Sequence, residues 1–115
     1  MRTREKAKII KQVAFDDLKE TDSVLIGTEN NTYRFSMINS GERRGTLTGG
    51  RLGDGLYDAI AFGSISGGAG GRDRDLSGIR TECRAVFSIY EPQNGLEPFI
   101  TSVVTDLIHL RNNER

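Results

Sequence analysis

Gly67-Gly68-Ala69-Gly70-Gly71 is the densest glycine run in this chain of 115 residues. Such a run can cradle phosphate, because bare backbone N–H groups approach an anion closely where no Cβ intervenes. The phosphate-loop pattern then requires Gly-Lys followed by Ser or Thr, whereas here Arg72-Asp73 follows. A dinucleotide fingerprint fails as well. Counting on from Gly68 and Gly70, its third glycine position is Asp73, and from Gly53 and Gly55 it is Asp58. The run has the composition of a flexible surface loop.

Asp73, Asp75, Ser77 and Gly78 match the first half of a calcium loop, which places oxygen ligands at alternate positions before a glycine. Its last position needs a bidentate glutamate, and that place holds Arg84, a cation. Arg72, Arg74 and Arg80 neutralise these carboxylates more simply, in a solvated loop. No metal or other cofactor is expected. His109 is the single histidine and sits in an apolar C-terminal stretch, where packing is commoner than catalysis. Cys83 falls on the apolar side of its own segment, whereas a reactive thiolate wants partial exposure and a cation at hand. The Asp16-Asp17 and Asp54/Asp58 pairs have no acid or base placed beside them. No catalytic constellation results, and the chain is expected not to be an enzyme.

The basic residues divide by type. The lysines all lie at or before Lys19, and every later cation is an arginine. Arg34, Arg43, Arg44 and Arg51 bracket two predicted strands, with Tyr33 among them. Guanidinium forks suit phosphate, and aromatic rings can stack on bases, so these residues are the candidate nucleic-acid or partner contact. Against that, 16 basic residues balance 16 acidic ones. A neutral chain is not drawn to polyanions or membrane surfaces by bulk charge.

The elements that must position these residues are mostly strands. Ser23–Thr28 is β-rich, and Tyr33, Phe35 and Met37 alternate with Arg34 and Ser36, the period-2 pattern of a half-buried strand. Asn30-Asn31 between them predicts a hairpin whose type I′ turn uses the tolerance of Asn for positive φ. Thr46–Thr48, Tyr57–Phe62 and Glu82–Tyr90 follow, and Asn94-Gly95 turns the chain into Phe99–Val104. Val103–Leu110 fits a strand that ends in a helical turn, although Val104, Leu107, Ile108 and Arg111 also fit a helical face capped by Ser102. All but Gly27 and Gly95 of the 14 glycines lie from Gly41 to Gly78, and Gly27, Gly45 and Gly63 are expected to bend strands at barrel corners.

Residues 1–14 form a basic arm or a short helix, and residues 15–115 one small β domain with a Gly-rich loop over 63–78. The fold expected is mainly β: a small antiparallel barrel or roll of about five or six strands. Lone Cys83 argues for a reducing compartment, and no apolar run suits a secretory signal or a membrane span. A cytoplasmic protein is expected.

The order Asn31-Thr32-x-x-Phe35, then Arg43-Arg44-Gly45-x-Leu47-x-Gly49-Gly50, then Ala85-Val86-Phe87 and Thr101-Ser102-x-Val104, resembles a group of small bacterial β domains of unassigned function. The resemblance covers residues 22–108. It implies fold and no site residue, with Sm-like or SH3-like barrels as the nearest familiar comparison. Taken together, the expectation is a non-catalytic interaction module that binds a protein partner or itself through an edge strand or a loop face, a homodimer being one form. The alternative is single-stranded nucleic-acid binding through the arginine face.

Overall fold

The structure, a computed structural model, describes residues 5–66 and 74–112. The strands are β1 (Glu5–Ile10), β2 (Gln12–Ala14), β3 (Ser23–Thr28), β4 (Thr32–Asn39), β5 (Arg44–Gly49), β6 (Tyr57–Ser66), β7 (Arg74–Asp75), β8 (Gly78–Arg80), β9 (Cys83–Glu91) and β10 (Gly95–Asn112). Short 3-10 turns occupy Phe15–Asp17 and Gly50–Leu52. Alternation explains the strands. Tyr33, Phe35 and Met37 of β4 point inward, as do Ala85, Phe87 and Ile89 of β9, and all are buried.

β3, β4, β5, β6, β9 and β10 pair antiparallel in that order, and β10 returns to β3, closing a six-stranded barrel. Closure removes the open edges that small sheets must otherwise protect. The 18-residue β10 closes the barrel by serving two neighbourhoods. Residues Gly95–Val103 pair with β9, and Val104–Leu110 with β3. Beyond β9, β1 takes the vacated side of β10, from Glu5 opposite Asn112 to Ile10 opposite Leu107. β7 extends the sheet beside β6, and β2 with β8 forms a separate two-stranded ribbon.

So long a strand must bend, and bulges bend it. The register slips between Ile100 and Val103 against β9, where buried Thr101 accepts the Ala85 N–H on its hydroxyl at 3.0 Å. The side chain thus satisfies a donor that the bulge takes from the ladder. A second slip, between Val104 and Asp106, lies beside Gly27. In β6 the slip between Ala61 and Gly63 uses a left-handed glycine at φ 143°, and a Cβ there would meet the Asp75 carbonyl at 2.2 Å. Gly45 serves differently. A Cβ on it would lie 2.1 Å from the Ser36 carbonyl, so it permits close strand approach without an unusual φ.

Inside, the rings of Phe35 and Phe87 meet at 5.4 Å, with Ala59, Ala61 and Ala85 leaving them room. Large against small is how a narrow barrel fills without voids. Val13, Phe15, Leu18 and Ile79 continue the core beneath the ribbon.

Several expectations need correction. The N-terminal segment is no short helix: Glu5–Ile10 is a strand, because the free side of β10 supplies a ladder that local propensity cannot foresee. The β3–β4 hairpin is where expected, but neither Asn30 nor Asn31 has positive φ. The Thr28 hydroxyl instead accepts the Asn31 N–H at 3.2 Å, and the Thr28 N–H reaches the Asn31 carbonyl at 2.8 Å. Of the Gly-rich loop 63–78, Gly63–Ser66 belongs to β6 and Arg74–Asp75 to β7, whereas Gly67–Gly71 and Asp73 lie outside the described residues. The C-terminal stretch is strand to Asn112, with no helical turn and no helix capped by Ser102.

Candidate functional site

The arginines expected to form one face are dispersed, and two of them are struts. Arg43, just before β5, takes a left-handed conformation at φ 57°, donates to the Leu76 carbonyl and covers the Phe15 ring at 4.9 Å. Arg51 covers the Phe99 ring at 4.7 Å, and its Nε donates to the Tyr33 hydroxyl at 3.2 Å. It also donates to the Ile100 carbonyl. Guanidinium groups so used seal gaps in the barrel wall by hydrogen bonding and cation–π contact. Tyr33 is 1% exposed, its ring edge-on to Phe99 at 5.6 Å, so it offers no face to a base. Sequence alternation places Tyr33 inward; the stacking role disregarded that pattern. Arg34 and Arg44 remain on the outside, Arg34 opposite Thr48 and Arg44 opposite Asn39. At strand rise they stand roughly 13 Å apart along β5. Arg44 pairs with Glu42 at 3.3 Å.

A different surface emerges on the outer side of β6, β9 and β10. Because Ala85, Phe87 and Ile89 point inward, Val86, Ser88 and Tyr90 point outward, and directly opposed residues share their face. Leu96 stands opposite Tyr90, Pro98 opposite Ser88 and Ile100 opposite Val86. From β6, Ile60 opposes Ser88, and Phe62, two residues on, takes the same outward side and lies next to Val86 where the register slips. Phe62 is 48% exposed, Tyr90 47%, Leu96 60% and Ile100 41%. These residues lie on adjacent strands and form one continuous apolar patch, whereas scattered exposed apolar residues would carry no such meaning.

Two shallow depressions mark opposite ends of that patch. One, of about 190 Å³, lies among Arg44, Asp58, Ile60, Tyr90 and Leu96. The other, of about 310 Å³, lies among Phe62, Ile65, Arg74, Leu76 and Val86. Asp58 therefore stands at one end and Arg74 at the other.

The third feature is Asp22, fully enclosed before β3. Its Oδ2 accepts from His109 Nε2 at 3.1 Å and from the Lys19 N–H at 3.2 Å, and its Oδ1 accepts from the Asn112 N–H at 3.1 Å. Burial pushes the carboxyl up, but the Asn112, His109 and Lys19 hydrogen bonds outweigh it and hold Asp22 below the usual carboxylate range. An ionised carboxylate only accepts, so Nε2 of His109 carries the proton between them. His109 is packed, as expected. Its carboxylate partner lies 87 residues away and leaves no local signal in the sequence.

Elsewhere the Ser77 hydroxyl and N–H hold the Asp75 carboxyl low, an Asx-type turn within the former calcium candidate. Among the described residues, no group of three or more His, Cys, Asp or Glu is placed to hold a metal ion. Cys83 is half-buried rather than enclosed. No described helix is long and apolar enough to cross a membrane. No family model, curated protein or solved structure matches this chain.

Proposed function

We propose that the protein is a non-catalytic, self-associating β-barrel module of the cytoplasm, whose partner is a second copy seated on the outer face of β6, β9 and β10. The observation that carries this reading is the continuous patch of Ile60, Phe62, Val86, Tyr90, Leu96, Pro98 and Ile100. Burial of such area contributes about 25 cal/mol per Å² before the losses of association are subtracted. A two-fold interface must be complementary to itself. An antiparallel copy brings protruding Phe62 towards the depression beside Tyr90, and Leu96 towards the one beside Val86. The same operation brings Asp58 towards Arg74. The formal net charge of zero leaves no bulk repulsion between copies. Lone Cys83 supports a reducing compartment.

Sedimentation velocity over a concentration series tests the proposal. The expected result is a dimer that dissociates on dilution, and Phe62→Glu or Leu96→Glu should leave a folded monomer. A wild-type protein that stays monomeric at its highest soluble concentration overturns it. For nucleic-acid binding, Tyr33 is enclosed and the four arginines do not form a contiguous face, which favours the self-association reading. A single-stranded oligonucleotide bound with steep salt dependence would revive the nucleic-acid reading.

A further inference from the structure

At one end of the molecule, β1 pairs with the last residues of β10 on the side opposite β3. Lys8 stands directly opposite His109, so both share one face, and Arg111 lies on that face two residues further along. Lys8, His109 and Arg111 line one cleft with Ala7, about 270 Å³ in volume. Lys8 and Arg111 are exposed, and His109 forms the floor. Among the described residues the carboxylate beside them is Asp22, and its oxygens are already taken by His109, Lys19 and Asn112. It therefore orients the imidazole from behind and leaves the cleft without a counter-charge of its own.

Two cations and an imidazole on one face, with no facing carboxylate among the described residues, are arranged for an anion. We infer that this cleft is an oxyanion-binding site that takes the phosphate group of a small ligand, with Lys8 and Arg111 as charged arms and His109 as the floor donor. A guanidinium binds two oxygens of a phosphate in its fork, and the ammonium adds a point charge. Because Nε2 of His109 is committed to Asp22, the ring meets the ligand through Nδ1, which donates only when the imidazole is protonated. The charged groups facing that ring are Asp22 from the segment before β3, Lys8 from β1 and Arg111 from β10. β3 itself places apolar Val24 opposite.

The site differs from the arginine set expected from sequence, and it is separate from the apolar face. Basic residues occupy alternate positions Arg2, Arg4, Lys6 and Lys8 in the sequence, a pattern that could also follow an extended polyanion. The compact cleft around a fixed imidazole favours a single phosphate group.

The chain's single histidine is its own reporter, so tag-free protein can be titrated while the His109 Cε1–H resonance is followed by NMR. Inorganic phosphate and glycerol phosphate should each shift that resonance saturably, and the tighter of the two identifies free phosphate or an ester as the source. Lys8→Gln and Arg111→Gln should each weaken binding about tenfold, the loss of one charge-assisted hydrogen bond. Thermal melts of both variants should match wild type, which separates lost binding from lost fold. Sulfate should bind at the same place and compete with phosphate. A resonance that does not respond overturns the inference, as does a response equal in wild type and both variants. Binding of a single-stranded oligonucleotide without binding of phosphate or sulfate also overturns it, in favour of an extended basic strip.

Discussion

The two halves of β10 face different chemistries. Gly95–Val103 lies against β9 and turns Leu96, Pro98 and Ile100 outward, so its outer surface is apolar. Val104–Asn112 lies between β1 and β3 and carries His109 and Arg111, with a buried carboxylate behind them. One strand can do both because the bulges at Thr101–Ser102 and Thr105 separate the halves. A bulge shifts which face each later side chain takes, so the pattern of the first half need not continue into the second. Both halves sit in strand ladders, and the second is tied in addition to the buried Asp22 carboxylate by His109 and the Asn112 N–H.

That contrast can be broken at several strengths. Phe87→Ala, beside the first half, removes a ring enclosed against Phe35 and should lower stability by about 4 kcal/mol in chemical denaturation. Asp22→Ala, beside the second half, leaves the Lys19 and Asn112 N–H groups and His109 without their acceptor, and should cost about 3 kcal/mol. The two should also differ with pH. A carboxyl depressed in the folded state contributes stability that is complete above its unfolded value near 4 and drains away as pH falls through the folded value. Phe87→Ala should keep that acid-side loss, whereas Asp22→Asn should flatten it. Denaturation midpoints between pH 2 and pH 6 decide the matter.

Smaller effects sharpen the boundary between the halves. Thr101→Val keeps the shape of the bulge and removes the acceptor of the Ala85 N–H, which should cost about 1.5 kcal/mol. Amide exchange at Ala85 should rise with little change in β1. Protection lost equally at both ends would show that the halves unfold as one unit. Smallest of all, Phe62→Glu should change monomer stability by no more than about 0.5 kcal/mol, since its ring is half exposed, while abolishing self-association.

How much of this was legible in the sequence follows from the range of each interaction. Period-2 alternation reveals β4 with its inward side, the segment Glu82–Tyr90 overlaps β9, and Asn94-Gly95 marks the turn into β10, where Gly95 takes φ 76°. Gly63 was correctly expected to mark a bend. β1 was not legible as a strand, because its ladder partner lies at the opposite end of the chain. For the same reason Asp22 gave no sign that it held His109. The outer apolar patch is half legible: within β9, Val86 and Tyr90 alternate with Ala85, Phe87 and Ile89 and so take the other face. That Phe62 and Leu96 join them depends on register and on the β6 bulge, which no local pattern records. The arginine site misled because a cation near a strand can close a wall as readily as greet a partner, and Arg43 and Arg51 do the former.

The most direct test of the division within β10 is sedimentation velocity of wild type, Phe62→Glu and the Lys8→Gln/Arg111→Gln double variant at matched concentrations. Wild type and the double variant should sediment as the same concentration-dependent dimer, and Phe62→Glu as a monomer of 12.7 kDa. A monomeric wild type, or a dimer that survives Phe62→Glu and dissociates in the double variant, would contradict it.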